Sequence, residues 1–126
     1  MNTTQKEAMS RQQPATRPRH RFEVFELTLE LIRSLRPLIT QIGRHDKGLT
    51  KQLREAASSI ALNLAEGNRR VGKDRTHFFR IAAGSANESR ACLRVAEAWD
   101  YVSEDAIQAP LESLDSILAI LHRLTH

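Results

Sequence analysis

The 126-residue sequence contains one cysteine, Cys92, so it cannot form an intramolecular disulfide. A lone thiol is typical of proteins of the reducing cytoplasm, and we expect that compartment. The first twenty residues lack the apolar core of a signal peptide. No segment approaches the roughly 18 to 20 consecutive apolar residues of a membrane span. The sequence therefore predicts neither export nor membrane insertion.

Glycine and proline are scarce, with 5 and 4 residues, and aromatic residues make up 5% of the chain. The apolar segments are rich in leucine and alanine and poor in valine and threonine, which favours helices over strands. We expect the few aromatic rings to lie in the core, so base stacking on single-stranded nucleic acid is not indicated. A composition of 40% hydrophobic and 27% charged residues suits a single globular domain.

Four amphipathic helices are predicted after a polar N-terminal segment. Residues 1–21 include Pro14 and Pro18 and show no hydrophobic period, so we interpret them as a disordered basic arm. Over residues 22–126 apolar side chains recur at steps of three and four, which predicts helices at about 22–43, 49–66, 73–102 and 104–124. Short connections between such helices favour an all-α, antiparallel up-down-up-down four-helix bundle.

Several positions within these helices carry specific expectations. The first helix has two adjoining apolar stripes, so one stripe is expected to face another subunit, and Pro37 is expected to bend or break this helix. Gly67 is the predicted C-cap of the second helix and Ser103 the predicted N-cap of the fourth. The core stripe predicted for the third helix consists of Phe78, Ala82, Ser85, Ser89, Cys92, Ala96 and Trp99.

Charge is distributed unevenly along the chain, although the formal net charge is only +4. Residues 1–21 hold five basic residues and one acidic residue. Residues 43–80 hold nine basic and four acidic residues, whereas residues 81–126 hold three basic and seven acidic ones. The folded molecule should therefore be polarised, with a basic region that could meet an anionic partner.

Polar residues interrupt the apolar pattern where the second and third helices are expected to pack. Ser59, Asn63 and Glu66 lie on one stripe of the second helix, and Ser85 and Glu88 lie three residues apart on the third. In an antiparallel pair, Asn63 and the serines would donate hydrogen bonds to the two carboxylates. We interpret these five residues as a structural polar network that fixes helix register and partner choice.

The same residues give little support to catalysis or to cofactor binding. Di-metal bundles use a glutamate followed three residues later by histidine, and this pattern does not occur here. Ser59 has no histidine on its helical face, and Cys92 lies on a core stripe. The segment GNRRVG lacks the lysine and serine of a P-loop. We expect no enzymatic activity, no metal and no cofactor.

Two segments, AASSIALNLAEGNRR and HFFRIAAGSANESRACL, resemble a motif pair of a known bacterial family. The family comprises the four-helix bundle proteins encoded in intervening sequences of large-subunit ribosomal RNA genes. The resemblance extends over roughly residues 22–99. Its matching positions include Ser59, Asn63, Glu66 and Gly67, and then Phe78, Phe79, Gly84, Ser85 and Glu88. The loop at residues 43–47 departs from the aromatic and Pro-x-Glu segment that the family often has there.

The resemblance implies a bundle that assembles into a ring-shaped homopentamer. It also implies kinship with the accessory proteins of diversity-generating retroelements, which bind nucleic acid and a reverse transcriptase. The candidate partners are therefore further copies of this chain, RNA or DNA, and a reverse transcriptase or another protein encoded nearby. The resemblance implies no reaction.

Up-down-up-down topology would bring cationic side chains from several segments to one end of the molecule. We call this set the basic pole; it consists of Arg17, Arg19, Arg21, Arg69, Arg70, Lys73, Arg75 and Arg123. Lys73 and Arg75 would oppose the dipole of the helix that they begin, which favours an anionic partner. We predict that the basic pole binds the RNA or DNA backbone with little sequence readout. The alternative is a protein–protein adaptor or scaffold without a nucleic-acid ligand.

Overall fold

The computed structural model describes the backbone of residues 19–126 and the side chains of residues 23–126. This part of the chain is all α-helical and contains no strand. Its four helices are α1 Arg19–Gly43, α2 Lys47–Asn68, α3 Gly72–Ala98 and α4 Glu104–Thr125. Residues 1–18 of the predicted arm, including Arg17, lie outside the described residues, as do the side chains of Arg19 and Arg21.

The helix bounds differ most from prediction at the end of α3, which stops at Ala98 and not near residue 102. Asp100 adopts a left-handed conformation with φ 64°, and its N–H donates to the Glu97 carbonyl. The Tyr101 N–H donates to the Ala96 carbonyl. Aspartate tolerates this conformation better than most residues, so the helix ends without the glycine that would mark the end in the sequence.

Both internal prolines lie within continuous helices. Pro37 is in α1 and Pro110 is in α4, so the chain has no helix break at Pro37. A proline removes one backbone hydrogen bond, and the turns on either side retain theirs. The predicted N-cap is confirmed, because Ser103 Oγ accepts the N–H of the third residue after it. Asp46 caps α2 in the same way, at 2.9 Å, and was not predicted.

The four helices surround one hydrophobic core. The most extensive helix contact joins α2 to α3; α3 also packs on α4, α1 on α2, and α1 on α4. The largest fully buried side chains come from all four helices: Leu31, Leu35, Ile42, Leu53, Ile60, Leu64, Phe79, Leu93, Ile107, Leu114, Ile117 and Leu121. The two fully buried hydroxyls, of Thr28 and Ser89, donate to the carbonyls of Val24 and Ser85 in their own helices.

One apolar stripe of α1 is buried within the chain, and the adjoining stripe stays partly exposed, so a contact with another subunit there remains a prediction. Helix α1 packs against both α2 and α4. Four residues of one stripe are buried: Leu31, Leu35, Leu38 and Ile42. Flanking residues pack partly buried against the core: Phe25, Leu27, Ile32 and Ile39. The exposed large apolar side chains of the described region lie elsewhere, on α2, on α3 and in the loops.

The aromatic register of α3 also differs from prediction. Phe79 is the buried ring, with 1% exposure, whereas Phe78 is half-buried. Trp99, expected in the core, is 67% exposed because the helix has ended before it. The prediction that the aromatic rings are committed to the core is therefore wrong for the chain's single tryptophan.

Gly67 lies inside α2 and permits a close helix contact; it does not cap the helix. The C-cap residue of α2 is Arg69, which has an ordinary right-handed conformation. A Cβ atom built on Gly67 would lie 2.6 Å from Phe79 Cε1. The absence of a side chain at Gly67 thus lets the buried Phe79 ring lie directly against the α2 backbone.

Candidate nucleic-acid interface

Described residues of the basic pole lie where the ends of several helices meet. Arg80 Nη2 in the early part of α3 donates to the Thr125 carbonyl at the end of α4, at 3.4 Å. Glu23, near the start of α1, shares a groove with Arg123 and Leu124 of α4. The loop from α2 into α3 is only three residues long. Arg80 of α3 and Glu23 of α1 therefore both lie near the end of α4.

The cations of this region differ in how far their charge is already paired. Arg70 forms an ion pair with Glu66 at 2.9 Å, approaches Asp74 at 3.9 Å, and lies over the Phe78 ring at 5.1 Å. By contrast, Arg69 and Lys73 are exposed and form no ion pair with a residue that the structure describes. The charges of Arg69 and Lys73 are therefore more readily available to a phosphate.

Three further cations complete the described part of the region. Arg75 is half-buried, and its buried Nε has no hydrogen-bond partner among the described residues. Arg123 is exposed at the end of α4. The rings of His122 and His126 stack at 4.0 Å beside it. The region therefore includes imidazoles as well as permanently charged groups.

The first turn of α3 combines backbone donors with cationic side chains. The N-cap residue, Val71, makes no side-chain capping hydrogen bond, so the opening N–H groups lack that partner. The helix dipole adds partial positive charge at this end. A groove of about 630 Å³ lies against this turn and is lined by Gly72, Lys73, Thr76, His77 and Arg80. Such a surface is suited to an anion with several oxygen acceptors.

Sequence reasoning missed three side chains of this groove, those of Thr76, His77 and Arg80. In α3 the predicted basic pole ended at Arg75, so it did not extend to these residues. The helical spacing of the sequence could have identified them. Residues 76, 77 and 80 lie three, four and seven positions after residue 73, so the four share one face of the helix. Applying that spacing to the basic residues would have extended the region into the helix.

The polar network is present in part. Ser85 Oγ and Ser59 Oγ form a hydrogen bond of 2.7 Å between α3 and α2, and Asn63 Nδ2 donates to Ser59 Oγ at 3.0 Å and to the Ser59 carbonyl. The two carboxylates predicted as acceptors, those of Glu66 and Glu88, are not part of this network, in which Ser59 Oγ is the acceptor. Glu66 accepts from Arg70 at 3.0 Å, and Glu88 is exposed. Both carboxylates can reach water or a cation here, which stabilises them better than burial beside neutral donors.

Cys92 is buried, and burial and the nearby charge of Glu88 raise the pKa of its thiol. A thiol held neutral is a poor nucleophile.

In the described part of the chain, no group of three or more His, Cys, Asp or Glu side chains could hold a metal ion. None of the helices in that part is long and apolar enough to cross a membrane.

Near the end of α3, three aromatic rings form a row that the sequence did not predict. The Tyr101 ring stacks on His45 with centroids 5.0 Å apart, and on Trp99 with centroids 6.4 Å apart. We call these three residues the aromatic corner. The helical period of α3, extended to Trp99, predicts that this residue is buried. In the structure the helix ends at Ala98, and the chain changes direction at the left-handed Asp100.

Comparisons with known proteins identify the family. A solved structure of a protein with unknown function from the S23 ribosomal protein family of Bacteroides thetaiotaomicron VPI-5482 is similar, with a TM-score of 0.73 and 20% identity. The similarity covers 81% of this chain and 97% of that one, and at this identity it shows the fold alone. No curated protein sequence matches the chain. The family model for the 23S rRNA-intervening sequence protein matches residues 20–123. The chain therefore belongs to the 23S rRNA-intervening sequence protein family.

Proposed function

We propose that this protein binds nucleic-acid backbone through the basic pole, without catalysing a reaction. The observation that carries the proposal is the groove at the uncapped start of α3, where Lys73, Thr76, His77 and Arg80 surround open backbone donors. Cations placed against the positive end of a helix raise its electrostatic potential further, and a phosphate would relieve that cost. The surrounding Arg69 and Arg123 would extend the contact along a strand.

RNA is the first ligand to test, because the family description names a ribosomal RNA intervening sequence. The groove offers phosphate contacts but no obvious set of groups for reading base edges. Binding should therefore depend strongly on salt and weakly on sequence, for RNA and DNA alike. The proposed place of action is the cytoplasm.

A salt titration of RNA binding tests the proposal. Wild-type protein should bind a fluorescent RNA at low salt, with affinity falling steeply as salt rises. Replacing Arg69, Lys73 and Arg80 together by glutamine should weaken binding roughly tenfold or more and reduce the slope of log K against log salt by about 2, because three phosphate contacts are removed. The measurement is fluorescence anisotropy at several salt concentrations.

A second triple variant serves as the matched control. Arg33, Arg36 and Lys51 are also exposed cations, and they lie away from the groove. Replacing all three by glutamine removes the same net charge and should leave the slope nearly unchanged. Equal losses in the two triple variants would mean that net charge, and not the basic pole with the groove at the start of α3, holds the RNA.

We further propose that the helices run up-down-up-down. Paired contacts support this arrangement: Ser59 meets Ser85, and further along α2 Gly67 meets the earlier Phe79. Between α3 and α4, Arg90 pairs with Asp115, while Arg80 reaches Thr125. In both helix pairs, moving forward along the first helix moves the contact backward along the second. This is the relation expected between antiparallel neighbours.

Self-association into a ring, a homopentamer by the family resemblance, is a further part of the proposal. The supporting feature is a set of exposed apolar and small residues on α2 and α3, which we call the outer face: Leu62, Ile81, Gly84, Ala91 and Val95. Leu62 is 69% exposed, and Val95 is 43% exposed. A Cβ atom on Gly84 would meet nothing within 4 Å, so a second helix could approach there closely. A ring would repeat the basic pole and add its weak phosphate contacts.

Charged substitutions on the outer face test this part. The double variant Leu62→Glu, Val95→Glu should convert an assembly into monomers in size-exclusion chromatography with light scattering, because carboxylates would be buried at the contact. The matched control, Arg36→Glu with Thr40→Glu, places the same groups on the exposed side of α1 and should leave the assembly intact. A wild-type protein that is monomeric at high micromolar concentration would contradict self-association.

The adaptor alternative rests on the same outer face, since exposed apolar side chains on adjoining helices can equally receive another protein. The retroelement kinship implied by the motifs makes a reverse transcriptase encoded nearby the candidate. An adaptor would keep its protein partner when the groove cations are replaced and lose it when the outer face is charged. The two triple variants and the outer-face variant therefore separate the two functions.

A further inference from the structure

The aromatic corner is held in place by the loops that carry it. Tyr101 donates its hydroxyl hydrogen to Asp46 Oδ2 at 3.4 Å, and its carbonyl accepts from Gln41 Nε2 at 3.3 Å. Partial burial, together with the charge of Asp46 and this hydrogen bond, raises the pKa of the Tyr101 hydroxyl, which therefore stays protonated as a donor. Trp99, the C-cap residue of α3, stacks on Tyr101 with most of its indole exposed. The row of rings is thus a fixed surface feature.

The chemistry around Trp99 favours a cation. The indole is 67% exposed, and the stretch from Val95 to Asp105 contains four acidic residues and no basic one. Of these, Asp100 is exposed directly beside Trp99, and Glu104 and Asp105 are exposed at the start of α4. An aromatic face with carboxylates nearby is the combination that binds guanidinium groups, through cation–π contact and ion pairing. The same carboxylates disfavour phosphate at Trp99, whereas the exposed Arg44 and Lys47 lie beside His45 at the other end of the row.

We propose that the aromatic corner binds an arginine of the N-terminal segment, residues 1–18, of a neighbouring copy of this chain. That segment carries Lys6, Arg11 and Arg17 against the single Glu7, so its charge complements the acidic stretch around Trp99. The neighbouring copy is the one required by the proposed self-association, on which this inference rests. The contact would link successive copies through a feature separate from the outer face.

Chain length favours a neighbouring copy as the source of the arginine. The aromatic corner adjoins the Gly43 end of α1, since His45 follows two residues later. A helix of 25 residues is about 37 Å long. Arg11 precedes Arg19 by eight residues, which span at most about 29 Å when fully extended. Arg17 therefore cannot reach the corner of its own chain, and Arg11 could do so only with its segment and side chain fully extended along α1. A neighbouring copy is the less constrained source.

The test uses the full chain carrying Arg11→Gln and Arg17→Gln as the receptor and a labelled peptide of residues 1–18 as the probe. Binding is followed by anisotropy of the label and by the emission of Trp99, the only tryptophan in the chain. We expect the peptide to bind and to change the emission. Trp99→Leu should weaken binding roughly five- to tenfold, with Trp99→Phe falling between the two because it keeps an aromatic face.

Matched controls separate this site from general attraction between charges. Asp100→Asn should weaken peptide binding, whereas Glu30→Gln, at an exposed position on α1, should leave it unchanged. A peptide with its arginines replaced by glutamine should not bind. Circular dichroism would establish that each variant keeps its helices.

Three results would overturn the proposal. Unchanged binding by Trp99→Leu would place the peptide elsewhere, and absence of peptide binding would remove the site. Quenching of Trp99 by RNA but not by the peptide would assign the corner to nucleic acid. Since the peptide is added in trans, this assay works even if the receptor is monomeric or the basic pole does not bind RNA. Failure here is therefore distinguishable from failure of the proposed function.

Discussion

Replacing Phe79 by alanine is expected to lower the free energy of unfolding by about 3–5 kcal/mol, the range typical of a large aromatic truncation in a core. Phe79 is 1% exposed and belongs to the central apolar cluster. Its removal would leave a cavity that the rigid helices around it can fill only in part. Since domains of this kind are stable by roughly 5–15 kcal/mol, the loss would consume much of the total.

Urea unfolding followed by helical circular dichroism would measure this change. The control is the neighbouring ring, Phe78, which is half-buried and lies under Arg70. Phe78→Ala should cost less, on the order of 1–2 kcal/mol, because less apolar surface is withdrawn from water. If the two alanine variants lost equal stability, the assignment of Phe79 as the core residue of α3 would be wrong.

The second large effect is expected at Gly67. Gly67→Ala would place a methyl group 2.6 Å and 2.7 Å from two carbons of the Phe79 ring and 3.1 Å from Phe78 Cβ. The ring is enclosed by the core and cannot withdraw as a flexible chain end would. The resulting overpacking should destabilise the protein by about 1–3 kcal/mol, more than the gain in helix propensity from glycine to alanine.

Gly84→Ala is the matched control, because it makes the same chemical change in a helix interior where nothing lies within 4 Å. Without a clash inside the chain, only the helix propensity remains, and at protein concentrations where the chain is monomeric its stability should rise by about 0.5–1 kcal/mol. Thermal unfolding of both variants should therefore shift in opposite directions. Shifts of the same sign would mean that the close contact between α2 and α3 is not as described.

A double variant makes the Gly67 argument sharper. Phe79→Leu shortens the side chain that the new methyl group would strike, so in combination with Gly67→Ala it should recover part of the loss. The coupling free energy between two residues in direct contact is roughly 0.5–3 kcal/mol. Strict additivity of the two changes would show that the methyl group strains something other than the ring.

The proposed binding surfaces use different parts of one polarised molecule. Cations gather near the start of α3, around Lys73 and Arg80, and the aromatic corner with its acidic neighbours lies where α3 ends. If both proposals hold, copies could be joined at one end while the other end remains available to nucleic acid. The triple cation variant and Trp99→Leu address the two ends separately, since neither changes a residue of the other.

Local sequence pattern was enough to predict four helices and no strand, because apolar spacing of three and four residues depends only on helix geometry. It also located Ser103 as a cap, since the capping hydrogen bond spans three residues of the same segment. The charge imbalance between segments was likewise readable, and it pointed to Lys73 as part of a cationic surface.

Other features depend on which helix lies beside which, and no local pattern contains that information. Gly67 was expected to cap a helix, and its role became clear only from the Phe79 ring that packs against it. Glu66 was expected to join the buried network, but Arg70 lies one turn away and pairs with it instead. Both outcomes are set by competition among neighbours for space and for charge.

The sequence by itself determined the helical character of the chain, its segmental charge and most of its apolar stripes, since each arises from residues within a few positions of one another. The tertiary structure alone decided that Trp99 faces solvent, that α1 packs against both α2 and α4, and that Arg80 joins the groove at the start of α3. The physical reason is that exposure is set by the packing of helices on one another and by the turn at Asp100, and these contacts join residues far apart in the chain.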